Sequence, residues 1–186
     1  MINNIKTVMN LPRFIIHLLL FAVFYDRCVD DLLRECKNTP PNKLHIYWRF
    51  LYLMTNHKYF RGTFYHRLGK FKYLCRFMAP CAHDFVLGSM SIGPGFNAAH
   101  CFSTTVNARS IGKNCTIFQD VTVGFSKDGC PIIGDNVTIY ANSVVVGSIT
   151  IGNNVTIAAC TFVNKDVPDN CLAIGVPAII KPKTLR

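Results

Sequence analysis

From residue 84 onward the chain places an aliphatic side chain at every sixth position. Ile133, Ile139, Val145, Ile151, Ile157 and Val163 keep this step without a slip, and Ile111, Ile117 and Val123 keep it before them. Ile92 and Ala98 are also in step. Counted in this way, the interval from Ala98 to Thr105 is seven residues and that from Val123 to Ile133 is ten, so one residue is inserted in the first and about four in the second. A period of six fits neither a 3.6-residue helix nor a simple hairpin. It predicts a solenoid of three-sided coils, about 18 residues each, with one aliphatic per side on the axis. A small or β-branched residue four positions later (Cys115, Val121, Val137, Ser143, Val155, Thr161) fills a corner. Gly, Asn or Asp near the hexad start (Gly112, Gly134-Asp135-Asn136, Gly152-Asn153-Asn154) permits the turn.

Residues 1–83 carry a different pattern. The apolar positions of 29–36 fall at helical intervals, and those of 44–54 and 60–78 recur at mixed spacings of three and four. Asn38-Thr39-Pro40-Pro41-Asn42 breaks the series, because proline lacks the backbone donor and clashes inside a helix. Ala79-Pro80 closes it. The expected organisation is a small, basic, α-helical region over 1–83, a parallel β-helix over 84–170 and a C-terminal tail over 171–186, mainly β in class.

Composition narrows the class further. Half of the 186 residues are apolar and 16% are charged, which excludes a disordered chain. No stretch reaches 18 apolar residues, so a conventional spanning helix is not expected. The longest apolar run is 14–25. Lys6 and Arg13 precede it as in a secretory signal, but Asp26, Arg27 and Cys28 stand where a cleavage site belongs. A cytoplasmic chain is the expectation. Nine cysteines without a CxxC pair read as free thiols, mostly small apolar fillers.

The net charge of +10 is unevenly spread. Residues 36–83 hold no acid, nine Lys or Arg, four of the six histidines and the single tryptophan. Such a segment suits an anionic partner, membrane head groups or a phosphorylated glycan carrier, and equally a helical domain whose solvated face is basic and binds nothing. No nucleic-acid-binding pattern accompanies it.

The segments IGKNCTIFQDVTVG (111–124), IGDNVTI (133–139), ITIGNNVTIAACTFVNKDVPDN (149–170) and AIGVPAIIKP (173–182) resemble the hexapeptide-repeat acyltransferases. Through FNAAHCFSTTVNA (96–108) and FRGTFYHRLG (60–69) the chain resembles their serine O-acetyltransferase branch, and within it the polysaccharide O-acetyltransferases most. The resemblance implies a left-handed β-helix and transfer of an acetyl group from acetyl-CoA to a hydroxyl. It also implies a homotrimer, with sites in the crevices between chains, and no metal. His100 matches the catalytic histidine and is expected to act as general base. Gln119 and Asp120 are candidates for the acceptor and the carbonyl. Gly124 and Phe125 lie where the family's backbone meets the cofactor arm, and Lys165 is a candidate for the CoA phosphates, ahead of Lys181 and Lys183.

Counting hexads places His100, Gln119, Ala141 and Ala159 in one ladder about 14 Å long. A reactive imidazole would stand at one end, and small residues at the other would leave room for a pantetheine arm. Two features depart from serine acetyltransferases. Ala99 replaces the acid before the histidine, and Asp128-Gly129-Cys130-Pro131 lacks the Arg-His pair that grips the amino acid. A sugar hydroxyl on a surface-polysaccharide or lipid-linked precursor is therefore the expected acceptor, reached from the inner face of the cytoplasmic membrane. Free serine, in cysteine biosynthesis, is the alternative, and a non-catalytic β-helix scaffold is the second. A γ-type carbonic anhydrase would need three histidines on zinc, and past residue 84 only His100 is available.

Overall fold

The structure is a computed structural model that describes residues 2–35 and 43–183. The break predicted at 38–42, together with Cys36 and Lys37, lies outside the described residues. The chain divides into two compact units, 1–83 and 84–186.

The first unit is helical: α1 (Ile2–Met9), α2 (Ile15–Val23), α3 (Tyr25–Glu35), α4 (Lys43–Asn56) and α5 (Lys58–Leu68). Its core is aromatic. Phe21 stacks on Phe50 at 4.3 Å between ring centroids, and Phe64 meets Phe50 edge-on at 5.0 Å. One ion pair crosses this core. The Arg67 guanidinium donates to both carboxylate oxygens of Asp31 at 2.7 and 2.9 Å, a bidentate grip between α5 and α3. The helix expected over 60–78 ends earlier than its apolar pattern. Gly69 takes a left-handed φ of 55° and returns its N–H to the His66 carbonyl, and a 3-10 turn follows over Gly69–Leu74.

His17 is buried in the same core. Tyr65 donates its hydroxyl to the Ala79 carbonyl at 2.6 Å, so its oxygen accepts from His17 Nε2–H at 2.9 Å. Burial, then the nearby Arg13 and Arg61 charges, hold the His17 pKa down from 6.5 to about 4. The fold therefore favours the neutral ring. Below pH 6.5 the unfolded chain takes up a proton that the folded chain refuses until about pH 4. Stability is expected to fall by roughly 3 kcal/mol across that window and to be fully present above it. Thermal midpoints measured from pH 7 to 4 check this. A flat profile in the native chain, or an equally steep one in His17→Gln, would contradict it.

The second unit is a parallel β-helix, the architecture expected from the period. One sheet stacks β1 (Phe85–Leu87), β3 (Thr104–Val106), β6 (Thr122–Gly124), β9 (Val144–Val146) and β12 (Phe162–Val163). The second sheet stacks β4 (Ser110–Ile111), β7 (Ile132–Ile133) and β10 (Thr150–Ile151), with bridges to Ile92 and Val167. The third stacks β2 (Asn97–Ala98), β5 (Thr116–Ile117), β8 (Thr138–Ile139), β11 (Thr156–Ile157) and β13 (Cys171–Ile174). It ends on the antiparallel β14 (Ile179–Pro182). Strands of two to four residues suffice because each contributes one inward side chain to a column. Ala98, Ile117, Ile139, Ile157 and Ala173 are in register, as are Ile111, Ile133 and Ile151. All six predicted corner residues are buried.

Two sequence expectations change. The inward residue of β3 is Val106, in register with Val123, and Thr105 is only half-buried. The step from Ala98 is therefore eight residues and the next one five, where the period alone put seven and six. The second change concerns the turns between the second and third sheets. Left-handed φ values of 56–57° there belong to Asn114, Asn136, Asn154 and Asn170, and in the first coil Gly95 takes 75°, whereas Gly112, Gly134 and Gly152 are not left-handed. The asparagine amides hydrogen-bond from coil to coil at 3.2, 3.0 and 2.9 Å. The glycines are required by proximity: a Cβ on Gly112 would lie 2.6 Å from the backbone of Gly134 in the next coil.

Candidate active site

The site begins at the corner where the third sheet passes to the first. Ala99, Phe118 and Tyr140 occupy equivalent places, since each donates its N–H to an inward residue of the following coil, Ile117, Ile139 or Ile157, at 2.9–3.0 Å. On the other side of the corner, Phe102, Gln119 and Ala141 are equivalent. Their carbonyls accept from Asp120, Asn142 and Cys160 N–H at 3.0, 3.1 and 2.9 Å. Between Ala99 and Phe102 two residues remain that have no counterpart in the later coils. They are His100 and Cys101.

This inserted pair forms a tight bulge. Phe102 N–H closes onto the His100 carbonyl at 2.7 Å, and His100 and Ser103 have φ of 54° and 48°. The two side chains part. Cys101 is fully buried, its thiol 3.1 Å from the Ile117 carbonyl. His100 is exposed, and among the described residues no side chain hydrogen-bonds to its imidazole. A Cys–His nucleophile is thereby excluded at this corner, and the histidine is left as an accessible proton acceptor. Strand β2, which leads into the bulge, holds Asn97, whose side-chain oxygen is buried without a partner among the described residues.

The predicted ladder is partly corrected. Gln119, Ala141 and Ala159 share one edge of the prism, with Asp120 beside them, and all are half-buried or exposed. The rung aligned with Gln119 is Phe102, because the two-residue insertion sets His100 outside the regular stack. The count of hexads gave this insertion one residue and not two, since Thr105, one residue short of Val106, kept the count of six on its far side. It also missed an aromatic pair on this edge: Phe118 and Tyr140 stack at 5.0 Å and 19°. Their placement directly after the inward Ile117 and Ile139 was the available sign.

The candidates for the cofactor arm lie on a different edge. Gly124 ends β6, with open space where a Cβ would be, and Phe125 is 68% exposed. The four-residue insertion follows, folded back by Ser126 N–H to the Gly129 carbonyl at 2.9 Å. A shallow depression of about 500 Å³ lies along this edge, lined in part by Ser126, Gly147, Phe162 and Asn164. Lys165 is exposed beside it in sequence. A single chain therefore does not bring Gly124, Phe125 and Lys165 to His100; they stand one prism face away, roughly 15 Å at about 3.3 Å per residue. Lys183 is tied down elsewhere, its ammonium donating to the Asn154 carbonyl. Lys181 is exposed on β14.

Comparison with known proteins adds to this geometry. Residues 130–165 match the bacterial transferase hexapeptide (six repeats) family. The putative colanic acid biosynthesis acetyltransferase WcaB of Escherichia coli (strain K12) is 34% identical over 113 residues, covering 58% of this chain and 70% of that protein. A serine acetyltransferase of Synechococcus elongatus is 35% identical over 91 residues, 46% of this chain, and the chain spans only 37% of that relative's length. The solved serine acetyltransferase (CysE) of Neisseria gonorrhoeae superposes with a TM-score of 0.67 at 26% identity, over 89% of this chain and 67% of its own.

Proposed function

The chain belongs to the hexapeptide-repeat acetyltransferases, and from that premise we propose that it moves an acetyl group from acetyl-CoA to a hydroxyl of a surface-polysaccharide or lipid-linked saccharide precursor. The observation that carries this reading is the inserted His100-Cys101 pair. The prism departs from its repeat at this corner to expose one imidazole, while the neighbouring Cys101 turns inward.

In the proposed step the neutral His100 ring takes the hydroxyl proton as the oxygen attacks the thioester carbonyl carbon. The C–S bond then breaks, and the imidazolium returns its proton to the departing thiolate. Backbone N–H groups at the corner would steady the transient oxyanion. The β-helix, 84–170, is the catalytic part. We infer a homotrimer in which the His100 edge of one chain faces the Gly124–Phe125–Lys165 edge of the next, so that residues separated within one chain share a crevice. Gln119 and Asp120 would orient the acceptor, and Ala141 and Ala159 would leave a slot for the thioester arm. We place the enzyme in the cytoplasm, at the inner membrane face.

Serine is the second reading, favoured by the structural neighbour. Two features oppose it: Ala99 precedes His100, and the loop after Phe125 carries Asp128-Gly129-Cys130 with no arginine or histidine to hold an amino acid. Losing two charge-assisted contacts costs roughly 3–6 kcal/mol. Turnover of L-serine is therefore expected at least a hundredfold below that of a saccharide acceptor, measured as free thiol release from acetyl-CoA. Efficient serine turnover would overturn the saccharide reading. Absence of turnover with every acceptor would favour the scaffold.

A further inference from the structure

We propose that α2 and the segment 69–78 together form a face that seats on an anionic lipid bilayer. The proposal deepens the peripheral location inferred above and is independent of the acyl chemistry. Helix α2, IIHLLLFAV, is apolar on all sides, yet the core covers only His17 and Phe21 fully. Ile15, Ile16, Leu19 and Val23 are 38–75% exposed. A helix apolar all round belongs in an apolar medium on every side.

A second apolar strip lies beside the first. Phe71, Tyr73, Leu74 and Phe77 are 52–78% exposed. The two elements run antiparallel. Arg13 Nε–H donates to the Met78 carbonyl at one end, and the Phe24 and Phe71 rings meet at 5.3 Å at the other. Their exposed residues are thus neighbours, not isolated surface apolars, and an apolar patch of this kind marks an interaction site.

Charge identifies the occupant. Lys70, Lys72 and Arg76 interleave with the aromatics, and Lys6, on α1, and Arg13 precede α2. None of these five has a carboxylate within ion-pair distance among the described residues; of the unit's four acids, all on α3, Asp31 and Glu35 are engaged by Arg67 and His57, and Asp26 and Asp30 are exposed. A second copy of this face would bring like charge against like. Anionic head groups supply the missing sign, and aromatics interleaved with cations suit the interfacial zone. At nine residues, α2 is about 14 Å long, far short of a bilayer core, so it would lie in the surface plane.

Co-flotation of the full chain tests this, using vesicles of phosphatidylcholine alone or mixed with phosphatidylglycerol. Binding is expected to the mixed vesicles only, and to weaken with salt. The combined Lys70→Gln, Lys72→Gln and Arg76→Gln variant should bind about a hundredfold more weakly. Leu19→Glu with Phe77→Glu should not bind, and both variants should keep thiol release with a soluble acceptor. A photoactivatable phospholipid in the vesicles should label 15–23 and 71–77. Failure to float with phosphatidylglycerol, label confined to the β-helix, or an assembly that the Leu19→Glu/Phe77→Glu pair splits into smaller ones would overturn the proposal. Acetyl transfer without flotation would reject this face alone; flotation without transfer would reject the acyl chemistry alone.

Discussion

Replacing His100 with alanine is expected to lower acetyl transfer by roughly a hundred- to ten-thousandfold, the usual contribution of a positioned general base. The fall should appear in kcat, with the KM for acetyl-CoA little changed, because the imidazole acts on the acceptor proton and not on the thioester's binding. The bulge allows a clean test. The residue that closes the corner is Cys101, fully buried, while His100 projects outward. Alanine at a φ of 54° adds some backbone cost; asparagine tolerates that region better and supplies no base at neutral pH. His100→Asn should therefore keep the native melting midpoint and lose turnover to the same extent. Cys101→Ser should keep turnover, since a thiol facing the Ile117 carbonyl inside the prism is no nucleophile. Full activity in His100→Asn would end the proposed mechanism.

The period of six made the prism legible because the axis admits one side chain per face, and only aliphatics satisfy it. Ile117, Ile139 and Ile157 could be aligned from spacing alone, and the strands place them in register. The same spacing located an insertion after Ala98 but made it one residue where the strands require two. Thr105 and Val106 are both β-branched, and either fits a strand; which one turns inward depends on a bulge formed by residues outside the repeat. A count of hexads also ran His100 into the ladder of Gln119, Ala141 and Ala159, whereas the inserted pair sets it outside that stack, and Gly124 and Phe125 close the next corner of the prism. In the helical unit the apolar spacing of 60–78 overran Gly69, where a left-handed glycine outweighs the pattern beyond it. Arg67 read only as one of nine basic residues in its stretch, since its partner Asp31 lies 36 positions away.

The corner glycines give the second large effect, on stability. Gly112→Ala is expected to destabilise the β-helix by about 3 kcal/mol, the upper end of ordinary overpacking. Its Cβ would stand 2.6 Å from both the carbonyl carbon and oxygen of Gly134 and 2.3 Å from Asp135 Oδ1. Asp135 can rotate away only by giving up its bond to Lys113 N–H at 2.9 Å, and the Gly134 backbone cannot yield without parting two coils. The strain spreads further, because Gly134 makes the same close approach to Gly152, and the asparagine ladder at 136 and 154 depends on that spacing. Gly124→Ala is the control. Its Cβ meets nothing within 4 Å, so a change below about 0.5 kcal/mol is expected. Thermal unfolding followed by β-sheet circular dichroism should therefore separate the two variants by roughly 6–12 °C. Equal midpoints would mean that the coils can separate at that corner to admit a methyl group, and that the close approach does not require glycine there.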